Sequence, residues 1–140
     1  MSFIPTIDDQ VVSELTPLMG TKPEFYLYVV QGPALWLTLL MAGGLLAALL
    51  QKPFMMGYAK EKFFFLPTSM FTTAVFKKEG SFSIAKSDIA SVSFHKFLVA
   101  NYITLTLKNG TRIRLVANTL YKKLSKQSEG IEQLKKVLGV

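Results

Sequence analysis

The chain has 140 residues, half of them hydrophobic, and carries a formal net charge of +7 with one histidine and no cysteine. That length holds one domain with an appendage, and the missing thiols exclude disulfides, thiolate metal sites and cysteine nucleophiles. A single histidine, His95, leaves no zinc cluster, so neither metal nor cofactor is expected.

Charge and hydropathy occupy different parts of the chain. Residues 1–50 hold one lysine against four acids, whereas residues 51–140 hold fifteen Lys/Arg against five acids. Residues 1–24 are weakly patterned, and "DDQVVSELTPLM" has the spacing of a short amphipathic helix placed before Pro17. Residues 34–50 follow as seventeen positions without a charge and with one hydroxyl, Thr38. As a helix they extend about 25 Å, and with their neighbours they approach the ~30 Å hydrocarbon core of a bilayer. A buried helix of a globular core usually keeps a polar face, and this run has none. Trp36, Tyr26 and Tyr28 gather towards one end and Tyr58 lies beyond the other, as interfacial aromatics do. The reading is a transmembrane helix over residues 25–52, preceded by an extracytoplasmic segment, 1–24, and followed by a linker, 53–60.

The residues ahead of the run are acidic, which argues against a signal peptide. Lys52, Lys60 and Lys62 follow it and only Lys22 precedes it. Positive-inside bias then puts the C-terminal domain in the cytoplasm and the N-terminus outside, in a single-pass protein of the cell (inner) membrane. Gly43 with Ala47, and Gly44 with Ala48, have small-xxx-small spacing, which suits close packing against a second helix.

From residue 61 the texture changes to short alternating runs. Residues 62–66, 70–78, 81–85 and 89–97 read as strands separated by turn residues. In the last of these Ala90, Val92 and Phe94 are expected on one face, and Ser91, Ser93 and His95 on the other. "YITLTLKNGTRIRLVA" is the clearest hairpin. A two-residue Asn109-Gly110 loop would set each leucine beside an arginine, which a half-buried sheet does not accept. A three-residue loop, Lys108-Asn109-Gly110, pairs Leu105 with Ile113 and Ile103 with Leu115. It leaves Thr104 beside Arg114 and Thr106 beside Arg112 on a solvent face, with Gly110 in the left-handed position. Beyond Asn118, an expected N-cap, the pattern turns helical, with Ile131, Leu134 and Leu138 as a stripe and Gly130 as a weak point or break. Six strands and an amphipathic helix imply a strongly bent antiparallel sheet or partial barrel closed by that helix.

The stretch "FSIAKSDIASVSFHKFLVANYITLTLKNGTRIRLVA" resembles the central part of bacterial pleckstrin-homology-like and GRAM-like domains. Ile84, Ile89, Val92 and the Lys108-Asn109-Gly110 turn carry the resemblance, which covers roughly residues 60–140. That family usually has seven strands where six are counted here. The expected fold is therefore α+β: a transmembrane helix, then a PH-like sheet of six to seven strands closed by a helix.

Catalytic signatures are missing. Ser93 and His95 share a strand face, but neighbours of that spacing stand about 6–7 Å apart, and no third member of a triad presents itself. There is no glycine-rich phosphate loop and no pair of carboxylates suited to acid-base work. The remaining clue is a basic face: Lys108, Arg112, Arg114, Lys122 and Lys123. Beside an anionic leaflet each such charge gains on the order of 1 kcal/mol. The resemblance implies a scaffold or accessory role, so the expected activity is binding of a protein partner or anionic membrane lipid. The alternative is a structural subunit of a membrane complex, or a homo-oligomer, packing through its spanning helix. Neither nucleic acid nor a small-molecule substrate is expected.

Overall fold

The computed structural model describes residues 7–31, 52–68, 79–119, 124 and 126–140. Seven strands form one antiparallel sheet: β1 (Phe25–Gln31), β2 (Lys52–Ala59), β3 (Lys62–Pro67), β4 (Phe82–Ala85), β5 (Ile89–Phe97), β6 (Ala100–Leu107) and β7 (Arg112–Asn118). Their order is β4-β3-β2-β1-β7-β6-β5. Among the described residues two helices flank the sheet, α1 (Ile7–Met19) and α2 (Gln127–Leu138). The chain passes from one edge strand, β4, to the other, β5, through a single 3-10 turn, Lys86–Asp88. Such a turn advances only about 2 Å per residue. The open sheet must therefore curl until its two edges meet at one corner. Lys86 N–H donates to the Glu61 carbonyl and Lys108 N–H to the Asp88 carbonyl, pinning that corner from both sides.

This arrangement overturns the single-pass membrane protein. Phe25–Gln31 is a strand rather than the entry of a spanning helix, and Gln31 is the register partner of Lys52. Paired Cα atoms stand about 5 Å apart, whereas the two ends of a bilayer crossing stand about 30 Å apart. The chain thus leaves and re-enters the sheet at the same place. Among the described residues no helix is long and apolar enough to cross a membrane. Residues 34–50, with Gly43, Gly44, Ala47 and Ala48, lie outside the described residues. The inside/outside assignment falls too, because α1 packs on β2 and β3 of the sheet that carries the C-terminal half. The apolar "FYLYVV" has another cause: β1 is covered on both faces, and such strands read as unbroken hydrophobic runs.

On the concave side Leu27, Val29, Phe54, Met56, Phe63 and Phe65 form the main core with Ile103, Leu105 and Leu115 of the second half-sheet. Phe65 stacks on Phe82 at 4.6 Å, and Phe54 meets Phe82 edge-on at 5.5 Å. On the opposite side Val11 and Leu15 of α1 cover Tyr26, Tyr28, Met55 and Leu66. The helix runs on through Pro17 to Met19 rather than ending before it, and Gly20 closes it with φ +74°. Pro17 gives up one bond of the ladder, its own N–H, and the helix ends two residues later.

The β6–β7 hairpin has the three-residue loop: Leu105 pairs with Ile113, Ile103 with Leu115, Thr104 with Arg114 and Thr106 with Arg112. Gly110 sits at φ +90°. In β5 the expected face is corrected. A bulge shifts the register between Ile89 and Ser91, so Ile89, Val92 and Phe94 pack on the core while Ala90 is exposed. One extra residue reverses every side chain before it relative to those after it.

Two expectations for the C-terminal helix also change. Asn118 ends β7 rather than capping a helix, and Gly130 lies buried inside α2 rather than breaking it. Strand β7 pairs with β1 only at Val30 and Gln31, so α2 meets β1 where β7 has left it. There the Gln127 side chain takes the place of a strand residue. Its Oε1 accepts from Tyr28 N–H at 2.7 Å and its Nε2 donates to the Tyr28 carbonyl at 2.8 Å. Gly130 follows one turn later, where a Cβ would collide with the Tyr26 carbonyl oxygen.

Replacing Gln127 with Ala therefore strips Tyr28 of its amide partner in a buried place. At roughly 1–3 kcal/mol for each buried group so exposed, Gln127→Ala is expected to cost about 2–4 kcal/mol in urea denaturation. Gly130→Ala should cost a comparable amount by pushing α2 off β1. Near-parental stability in both variants would show that α2 is only loosely held.

Candidate functional site

Three of the five residues of the basic face, Lys108, Arg112 and Arg114, are among the described residues. Arg112 and Arg114 stand on the convex side of β7 beside Thr106 and Thr104, and Lys108 is exposed in the hairpin turn. Ser93 and His95 lie on the same side of β5, opposite Thr104 and Tyr102. Lys122 and Lys123 lie outside the described residues. This half of the convex surface is a row of hydroxyls and cations, while α1 covers the other half.

A second feature lies at the corner where the sheet edges meet. Residues 89–92 of β5, Lys86, and residues 137–140 at the end of α2 line an open groove of about 340 Å³. Three local causes build it. The β5 bulge turns Ala90 and Ser91 outward. Gly139, at φ +74°, ends α2 through bonds from its own N–H to the Lys136 carbonyl and from Val140 N–H to the Lys135 carbonyl. The 3-10 turn then sets Lys86 at the rim, 3.8 Å from Glu61. Val137, Leu138 and Val140 form one wall, Lys86 stands at the rim, and the floor is the outer edge of β5. Among the described residues no strand pairs with that edge. A strand of nine residues presents about 30 Å of backbone donors and acceptors.

The third feature is a cleft of about 320 Å³ between the start of α1, the residue 22–24 loop and α2, lined by Asp8, Asp9, Glu24, Glu129, Lys22 and Lys126. Tyr26 Oη donates to Asp8 Oδ2 across 2.7 Å. Burial, reinforced by that hydrogen bond and by the acids around it, pushes the phenol well above its ordinary range. It stays a neutral donor, and its task is to tie α1 to β1. Glu24 is likewise occupied in the fold, accepting from Lys60 N–H at 3.0 Å. Among the described residues no three acids or histidines are grouped as metal ligands.

Sequence reasoning placed the arginines and missed the groove. The groove depends on a bulge and on a corner between elements distant along the chain, and neither has a signature in spacing. The exposed β5–β6 turn was also passed over, although its lack of glycine, asparagine and proline was visible. Arg112 is exposed and Arg114 half-buried on the convex face, away from the core, so Arg112→Ser with Arg114→Ser should move stability by no more than about 0.5 kcal/mol in thermal denaturation. A larger loss would place them within the folded core.

The chain matches no family model, and neither the curated proteins nor the solved structures include one that matches it.

Proposed function

We propose that the protein is a non-catalytic binding module that docks an extended segment of a partner protein along the outer edge of β5. The observation that supports this reading is the coincidence of a strand edge that is unpaired among the described residues with a groove beside it, one wall of which is Val137, Leu138 and Val140. A docked strand would gain main-chain hydrogen bonds from β5. Alternate side chains would lie between β5 and Val137, Leu138 and Val140. The occupant that fits is a short extended peptide with apolar residues at every second position and an acidic residue near Lys86.

Free edges invite indiscriminate pairing, and natural sheets protect them with bulges and lysines. Strand β5 has both, the bulge at Ala90 and Lys96 near its end. Only the stretch between them is open to a ligand of the right register. The seven-stranded meander with a helix packed across it also favours the pleckstrin-homology-like resemblance, and with it a scaffold role.

The test is selection of displayed extended peptides on the full chain, followed by binding to variants. Ala90→Trp fills the groove from its exposed floor and should weaken selected peptides at least roughly tenfold, about 1.4 kcal/mol. Val140→Asp should do the same by charging the wall. The Arg112→Ser, Arg114→Ser variant, altered on the opposite side, should bind as the parent does. Amide shifts on titration should centre on residues 89–97. Peptides that bind Ala90→Trp undiminished would sink the proposal. So would a chain that is already dimeric through β5, because a second copy would then be the occupant.

A further inference from the structure

Strands β5 and β6 join through a two-residue turn, because Phe97 pairs with Ala100. Leu98 holds the first central position at φ +55°. Hairpin turns place glycine, asparagine or aspartate at such positions, since a branched apolar residue gains nothing from a left-handed backbone. Phe97, Leu98 and Val99 are nevertheless 57, 78 and 37 % exposed. Three adjacent apolar side chains stand in water on a protruding tip, in a turn that a glycine would serve better. A position that costs the fold stability and returns no packing points to a role outside the fold.

The surroundings identify the kind of surface. Between Asp88 and Glu129 the chain carries seven Lys/Arg and no carboxylate. Lys96 adjoins Phe97, and behind the tip His95 and Tyr102 form a cross-strand pair with ring centroids 6.4 Å apart. Farther along the same convex face come Arg114 beside Thr104 and Arg112 beside Thr106. An apolar point, an aromatic pair and then cations match acyl chains, interface and anionic headgroups in turn. A protein interface of ordinary size buries about 800 Å² on each partner, far more than three side chains on a convex tip offer.

We propose that the β5–β6 tip is a lipid wedge. Phe97, Leu98 and Val99 enter an anionic lipid surface from one side, and the cations of β5–β7 face its headgroups. The contact is peripheral. It is also separate from peptide docking, because the groove lies at the Ile89 end of β5, roughly 25 Å from Phe97.

Flotation of the full chain with phosphatidylcholine vesicles, with and without phosphatidylglycerol, tests this. Leu98→Gly should melt at the same or a higher temperature, because it relieves the turn, while its partition onto phosphatidylglycerol vesicles falls roughly tenfold. Leu98→Trp in a Trp36→Phe background should shift its emission to the blue on the same vesicles. Four results would overturn the wedge: unchanged partition of Leu98→Gly, equal binding to phosphatidylcholine alone, an unmoved emission, or a lower melting temperature for Leu98→Gly. The third would leave the tip to a protein partner, and the last would give Leu98 a place in the fold.

Discussion

The structure turns on how α2 replaces strand pairing along β1. Strand β7 accompanies β1 for two residues and then diverges, which would leave the Tyr28 backbone facing the interior without a ladder. Gln127, 1 % exposed, supplies a donor and an acceptor at the spacing of a peptide group. Gly130 lets the helix backbone lie against the strand at a distance no side chain would allow. These two residues convert a helix that would otherwise rest on the sheet into part of its hydrogen-bonded frame. Because α2 is held at its first turn, its last turn is delivered to the corner between β4 and β5. The groove at residues 137–140 is thus a consequence of contacts made about 15 Å away at the helix start.

The same constraint explains why, among the described residues, the sheet has an unpaired edge. A fully closed barrel removes its edges by pairing the first and last strands. Here those strands are joined by only three residues, and the end of α2 occupies the angle between them. The sheet curls far enough to bury Phe63, Phe65, Ile103 and Leu105 around one core, yet no described strand pairs with the outer side of β5. Closing the core and leaving an edge available are achieved by one geometry.

What could be read in the sequence divides along the range of the interactions involved. The β6–β7 register was legible because it depends on two adjacent strands and the side-chain parity of Leu105 and Ile113, a local constraint with period two. The positions of Arg112 and Arg114 came with it. Failure began where a pattern had two physical causes. "FYLYVV" is apolar because β1 is sandwiched between the main core and α1, and hydropathy alone does not separate that from lipid. Gly130 was read by its low helix propensity, but tertiary contact decided its role. The face of Ala90 was misread because a bulge breaks parity without any marker residue.

The N-terminal half of the sheet and the C-terminal half are built on different terms. Around β1–β3 both faces are covered, Tyr26 is tied to Asp8, and glycine at position 57 lets Leu15 and Met19 sit directly on the strand. Around β5–β7 one face is buried and the other is a polar row of Thr104, Thr106, Arg112 and Arg114. Both halves share the main core, and the open face of the second can carry residues that contribute no stability. Leu98 is the clearest of these, an exposed leucine at a positive φ. It is tolerated because β5 and β6 are fixed by their shared core residues rather than by the turn between them. A scaffold made rigid on one side leaves the other free to hold an edge, a groove and an apolar tip in fixed relation.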